Sequence, residues 1–222
     1  MIAVSIFKVM GPIMIGPSSS HTAGPVKIGH IASLLLDGKT KSAEILFHGS
    51  FAQTAKGHGT DRAVVAGILG YNLDDERIKE AIKIAIDEGI AIKFKTIDLK
   101  KAHPNTVILK LQNETQQVQV EGHSLGGGDI LIKYINEYQV DITAKYPTFW
   151  LLHKDQSGKI ALITSLISKY RLNIAFMKVF RTQKGNIASS VIEVDQKIPR
   201  AIVAELKEIN GMIKVSLIPA IL

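Results

Sequence analysis

What most limits the fold of this chain is the schedule on which its hydrophobic period switches after Lys145-Tyr146-Pro147. Phe149 to His153 reads as a strand and Asp155-Gln156-Ser157-Gly158 as a loop, after which Ile160, Ile163, Leu166, Ile167 and Tyr170 recur at helical spacing. Two strands follow, Asn173 to Arg181 and Ile187 to Val194, joined by the turn Gln183-Lys184-Gly185-Asn186. Pro199 opens a last helix with Ile202, Leu206 and Ile209, and Gly211 ends it before a final strand, Ile213 to Ile218. The order βαββαβ is the split-βαβ, ferredoxin-like layout. A domain boundary therefore falls at Lys145–Pro147, dividing the chain into residues 1–146 and 148–222.

The first part is organised around Gly16-Pro17-Ser18-Ser19-Ser20-His21-Thr22-Ala23-Gly24-Pro25. Hydroxyls and a histidine lie between turn-forming glycines and prolines, and Ile28, Ile31, Ala32 and Leu35 follow at helical spacing until Asp37-Gly38. The stretch predicts a shaped loop feeding a helix N-terminus, whose free N–H groups suit a carboxylate or phosphate. An elaborate N-cap would use the same residues.

Upstream, Ile2 to Val9 reads as a strand or a short helix; downstream, Ala43 to His48 reads as a strand running into Gly49-Ser50. A second polar constellation, Lys56-Gly57-His58-Gly59-Thr60-Asp61, precedes a helix capped by Thr60 or Asp61 and ended by Gly70. Asp74 caps a further helix that Gly89 stops. Val107, Leu109 and Leu111, then Val118 and Val120, alternate with polar neighbours around a hairpin loop at Asn113-Glu114-Thr115. His103-Pro104-Asn105 lies before this hairpin and Gly126-Gly127-Gly128 after it; the glycines imply either a close approach of backbone or ligand, or a bulged turn.

Composition removes several classes of function. With 222 residues, 46% hydrophobic and 21% charged, the chain has material for a core. Its net charge of +7 permits an acidic partner, but no basic run exceeds Lys100-Lys101 and aromatics amount to 6%, which argues against nucleic-acid binding. There are no cysteines, so the chain has no disulfide, no thiol nucleophile and no thiolate ligand of its own. No apolar run is long enough for a membrane span, and the N-terminus lacks the basic region of a signal peptide, so a cytoplasmic location is expected. No HExxH or paired-histidine spacing points to a metal site in this chain.

Together, the Gly16–Gly24 stretch, Gly49-Ser50, Lys56–Asp61, His103-Pro104-Asn105-Thr106 and Gly126–Gly128 closely resemble the beta subunit of bacterial iron–sulfur-dependent L-serine dehydratase. The C-terminal part looks like an ACT domain, a small amino-acid-sensing module. The resemblance covers nearly the whole chain, with five motifs in the same order. It implies an α+β fold: an N-terminal serine dehydratase beta domain, similar to the serine-binding (allosteric-substrate-binding-like) domain of some phosphoglycerate dehydrogenases, then the ACT domain. It further implies deamination of L-serine to pyruvate and ammonia with a [4Fe–4S] cluster bound by cysteines of an alpha subunit. Under that resemblance the absence of cysteine fits a beta subunit and would exclude a fused single-chain enzyme. One departure is Ser157, where many ACT domains carry a proline before the loop glycine; Asn173-Ile174 matches the usual pattern. Amino-acid sensing and side-by-side homodimerisation are both open for this module.

Dehydrating serine requires removal of a weakly acidic Cα proton and loss of hydroxide, a poor leaving group. A metal can assist the second step as a Lewis acid, and a histidine suits the first. By resemblance, His58 matches the position of the base, although a loop histidine could also simply fill a turn. Gly57 and Gly59 would let substrate approach, Asp61 could orient the ring, and Lys56 could lower its pKa or pair with the substrate carboxylate. Ser18, Ser19, Ser20, His21 and Thr22 would hold that carboxylate, with Asn105, Gly126 and Gly127 as further candidates for substrate or subunit contact. His30 and His48 read as structural, and His103 as structural or part of the site. The alternative function is a non-catalytic amino-acid-binding regulator, which would not need a loop base.

Overall fold

The structure, a computed structural model, describes residues 13–181 and 183–221. The expected element at Ile2 to Val9 lies outside these residues. The chain divides into two compact units, one ending at Asn136 and the other beginning at Glu137.

In the first unit a π-helical turn (Ser19–Ala23) runs directly into α1 (Gly24–Leu36), followed by β1 (Ser42–Gly49), α2 (Ser50–His58) and α3 (Thr60–Ile68). A 3-10 turn (Glu76–Glu80) leads into α4 (Ala81–Asp87), and then come β2 (Ala91–Thr96), β3 (Asn105–Gln112), β4 (Gln117–Gly126) and β5 (Asp129–Ile135). The strands lie in the order β2-β1-β3-β4-β5. Only β1 and β2 are parallel, and their connection is the helical crossover α2-α3-α4 that a parallel pair requires.

Ile28, Ile31, Ala32 and Leu35 of α1 are buried, and the helix lies on β3, β4 and β5. On β4, Val118, Val120, Gly122 and Ser124 alternate inward; a Cβ on Gly122 would lie 2.5 Å from Ile28 Cγ2, so this glycine makes room for the helix. Helices α1 and α3 cross at glycines. A Cβ on Gly67 would fall 2.1 Å from the Val26 carbonyl oxygen, and one on Gly29 would fall 2.4 Å from that of Val64.

Several helix boundaries differ from the sequence reading. Ser50–His58 is a helix, although Phe51 is its only buried residue and its sequence has no apolar stripe. The cap of α3 is Gly59, in left-handed conformation, and neither Thr60 nor Asp61. The side chain that caps the 3-10 turn is Asp75, which accepts from Arg77 N–H at 2.9 Å, one residue beyond the expected Asp74.

The second unit contains β6 (Tyr138–Ile142), β7 (Thr148–Lys154), α5 (Lys159–Lys169), β8 (Ile174–Arg181), β9 (Ile187–Val194), α6 (Ala201–Glu208) and β10 (Met212–Ile218). From β7 onward the sheet order is β10-β7-β9-β8, antiparallel throughout, which is the ferredoxin-like arrangement. Phe149, Leu151, Ile192 and Val194 form one sheet face and bury Ile163 and Ile167 of α5 with Ile202 and Leu206 of α6. On the other face Trp150 donates to Ser189 Oγ at 3.2 Å, and Ser189 Oγ donates to the Gln139 carbonyl at 3.0 Å, fastening β6 to this unit. Asp155 Oδ2 accepts from Arg181 (3.2 Å) and from Gly185 N–H (3.0 Å), tying the loop after β7 to the β8–β9 turn.

Candidate active site

Antiparallel register sets Gly49 opposite Asn105 and Thr106 opposite His123. The C-terminal ends of β1 and β4 and the start of β3 therefore share one end of the sheet. The π turn sits at that end, because a Cβ on Gly24 would lie 2.1 Å from Ser124 Oγ and only glycine allows so close a helix start. Gly49 has φ of 58°, and a Cβ there would meet the Pro104 carbonyl oxygen at 2.5 Å; Ser50 N–H donates to the same oxygen at 2.9 Å. This reversal carries the chain from β1 into α2 with Ser50 facing the π turn.

His21 is the hub. The turn that holds it is one residue wider than an α-turn, because Gly24 N–H donates to the Ser19 carbonyl; an α-spaced bond from Thr22 N–H to the Ser18 carbonyl at 2.8 Å leads into it. His21 Nδ1 lies 3.0 Å from Ser20 Oγ and 3.5 Å from Ser18 Oγ, and these two hydroxyls are 3.1 Å apart. Its Nε2 lies 3.2 Å from Ser50 Oγ, and Phe51 meets the ring edge-on at 5.3 Å between centroids. Hydroxyls donate or accept, so either neutral tautomer is satisfied. Burial, and secondarily the nearby His58, pushes the His21 pKa below the ordinary histidine value. His21 is thus held neutral at pH 7.

His58 is the last residue of α2 and is exposed, with its ring centroid 4.9 Å from that of His21 and the planes inclined at 52°. Both histidines, expected in loops, lie on helical turns. Asp61 does not orient His58: its Oδ1 accepts from Arg62 N–H at 2.8 Å. Lys56 is exposed in the last turn of α2.

Asn105 lies at the same sheet end. Its N–H donates to His103 Nδ1 (3.1 Å), and its side-chain amide reaches the Ser124 carbonyl at 3.5 Å. The His103 ring stacks on His123 at 6.0 Å, and His123 Nε2 lies 3.0 Å from Glu121 Oε1. Burial first, and His123 second, lowers the His103 pKa. Gly126, Gly127 and Gly128 all have positive φ, which explains the triple glycine as the β4–β5 turn. His48 accepts from Leu99 N–H at 3.2 Å, a structural role, and His30 lies half-buried on α1.

The structure thus gathers Ser18, Ser20, His21 and His58 with Ser50, and sets Asn105 and the glycine turn at the adjoining sheet end. Ser19 contributes its carbonyl to the π turn, and Thr22 is buried behind it. Lys56 and Asp61 make no hydrogen bond or ion pair with the cluster among the described residues. Sequence reasoning missed Ser50, Phe51 and Arg62. Their only local signal is the Gly49-Ser50 dipeptide, since crossover geometry brings Ser50 and Phe51 to His21 and sets Arg62 beside His58.

With no cysteine in the chain and no group of three or more metal-ligating His, Asp or Glu among the described residues, these residues do not fit an iron–sulfur cluster, whose irons are bound by thiolates.

Comparison with known proteins gives a consistent set. The profile of the family described as "Serine dehydratase beta chain" matches residues 4–85. The chain is 40% identical over 212 residues to the "Probable L-serine dehydratase, beta chain" of Bacillus subtilis, covering 96% of each protein. It is 39% identical to the "L-serine dehydratase, beta chain" of Peptoniphilus asaccharolyticus, covering 89% of this chain and 90% of that one. It is 24% identical to the D-3-phosphoglycerate dehydrogenase of Archaeoglobus fulgidus over 84% of this chain and 36% of that protein.

Proposed function

Because this chain belongs to the family of L-serine dehydratase beta chains, we propose that it is one subunit of a two-chain lyase that converts L-serine to pyruvate and ammonia. The observation that supports this best is the His21–His58 pair, one imidazole fixed by hydroxyls on both nitrogens and the other exposed beside it. His58 takes the Cα proton of serine onto an imidazole nitrogen. Loss of hydroxide from Cβ leaves aminoacrylate, which tautomerises to an imine, and water hydrolyses the imine to pyruvate and ammonia. A neutral His21 does not oppose the positive charge that His58 acquires. Ser18, Ser19, Ser20, His21 and Thr22 frame the substrate, with Asn105, Gly126 and Gly127 at its border and Lys56 and Asp61 on the adjoining helices.

The cofactor we propose is a [4Fe–4S] cluster on a cysteine-bearing alpha subunit, in a cytoplasmic hetero-oligomer. No helix among the described residues is long and apolar enough to cross a membrane. For the second unit, an ACT-type role is supported by β8, an edge strand with Phe176 54% and Val179 44% exposed, through which two copies could pair sheet to sheet. Anaerobic co-expression with a cysteine-rich partner tests the assignment. Serine-dependent pyruvate formation is expected from the complex and not from this chain alone; iron-free activity of this chain alone would overturn the two-chain reading.

A further inference from the structure

Beside His58 lies a cleft of about 180 Å³, whose wall includes Gly16, Thr22, His58, Arg62, Ile78 and Lys79. Its chemistry is one-sided. The two formally charged side chains in its lining, Arg62 and Lys79, are cationic, and no carboxylate lines it. Lys79 has a loose, exposed contact with Glu76 at 3.7 Å. The Arg62 guanidinium lies alongside Gly59, about 3.5 Å from where a Cβ would be, and has no carboxylate partner among the described residues. Thr22 is 2% exposed, and its hydroxyl has no hydrogen-bond partner among the described residues. A buried hydroxyl left unpaired is unfavourable, and Thr22 is one of the residues that line the cleft.

Size narrows the ligand. Drug-sized and nucleotide-sized ligands occupy pockets of roughly 300–1,000 Å³, so this cleft suits a ligand of a few heavy atoms. The hydroxyls of Ser18 and Ser20 are turned to His21 Nδ1, which leaves the substrate's negative charge to another group. We propose that Arg62, supported by Lys79, is the carboxylate-recognising residue of the site, and that the cleft takes the α-carboxylate of a three-carbon amino or keto acid. A guanidinium grips a carboxylate through two parallel N–H donors, a geometry lysine cannot reproduce. Arg62 extends from the first turn of α3, and His58 ends α2 across Gly59, so a carboxylate held by Arg62 presents its α-carbon toward the His58 side of the cleft. This inference rests on the proposed serine chemistry for the identity of the acid.

The test has two arms. In the assembled two-chain enzyme, Arg62→Gln is expected to raise KM for L-serine about 10- to 100-fold with kcat changed by less than about threefold, and Arg62→Lys is expected to recover part of the loss. In the full chain alone, NMR titration should show L-serine and pyruvate shifting the His58 ring protons, L-serinamide leaving them unmoved, and Arg62→Gln abolishing the response. Unchanged KM in Arg62→Gln, or equal binding of L-serinamide, would overturn the assignment of Arg62. Carboxylate binding to the chain, with no serine turnover in the wild-type complex, would uphold the cleft and overturn the proposed reaction instead. The exposed position of Arg62 keeps these variants foldable, and a urea midpoint matching the wild type verifies that.

Discussion

His21 and His58 face each other with ring centroids 4.9 Å apart, the first fixed at both nitrogens and the second open to solvent. That asymmetry assigns different work to two identical side chains. A group clamped by Ser18, Ser20 and Ser50 is poorly placed to move protons, whereas one at a helix end beside a cleft can accept a proton and release it.

Replacing His58 by Asn therefore should lower kcat by about 10²–10⁴-fold, the usual contribution of a positioned base, with a much smaller change in KM. Steady-state kinetics of the two-chain complex measure this. A variant with wild-type kcat would remove His58 from the chemistry.

The same substitution should be felt by His21. Burial is the larger cause of its lowered pKa and His58 the smaller, so removing the second imidazole should raise the His21 pKa while leaving it below the ordinary histidine value. NMR titration of the His21 ring in wild type and His58→Asn reads the difference. A downward movement would contradict the like-charge coupling.

Stability should fall on mild acidification. His21, His30 and His103 all have pKa values lowered chiefly by burial, against about 6.5 in the unfolded chain. Between the lowered values and about 6.5 the unfolded state binds more protons, so unfolding free energy decreases as pH falls through that window. Urea midpoints at pH 7.5, 6.5 and 5.5 should decline in order. His30→Gln should flatten the decline, because it removes one contributing group away from the site. A midpoint independent of pH would show that these burials do not persist in solution.

How far the fold can be read from the chain varies with the element. The β7-α5-β8-β9-α6-β10 run is legible because each segment buries one face of a two-layer core, and burial writes its period into the residues. Helix α2 is not legible: Ser50–His58 has one buried residue, and it is held by the Gly49 reversal and by packing on β1. His21 and His58 could each be singled out by their polar, glycine-rich surroundings. Their contact could not, because it depends on a crossover that joins two parallel strands. Arg62 carries no signal in the sequence, because the residues that line a cleft with it, Gly59, Thr22 and Lys79, come together only in the fold.

The α1–α3 crossing offers a stability prediction independent of the chemistry. A methyl group on Gly67 would sit 2.1 Å from the Val26 carbonyl oxygen, and neither helix backbone can yield without disturbing the packing of Ile28 and Val64. Gly67→Ala should cost about 1–3 kcal/mol or more, the range for overpacking a dense interior, despite alanine's higher helix propensity. A lowered urea midpoint at unchanged m-value is expected. A gain in stability would mean that the helices stand farther apart.

Phe51 couples the packing to the site. It is fully buried, edge-on to His21 at 5.3 Å, and itself meets Phe47 at 6.2 Å in a second edge-on contact. The His21 ring is therefore held on its nitrogens by hydroxyls and against its edge by an aromatic whose own position is set by β1. Phe51→Leu keeps the site apolar but removes the ring contact, which is worth about 0.5–1.5 kcal/mol beyond area burial. The expected result is a modestly less stable protein in which His21 is less well confined. Because the serine hydroxyls are untouched, the imidazole should stay neutral at pH 7 while its position loosens. Two readouts separate this from simple destabilisation. At temperatures well below unfolding, kcat of the complex should fall several-fold, and ring-proton lines of His21 should broaden. Wild-type kcat alongside a lowered midpoint would limit Phe51 to the core and leave the orientation of His21 to Ser18, Ser20 and Ser50 alone.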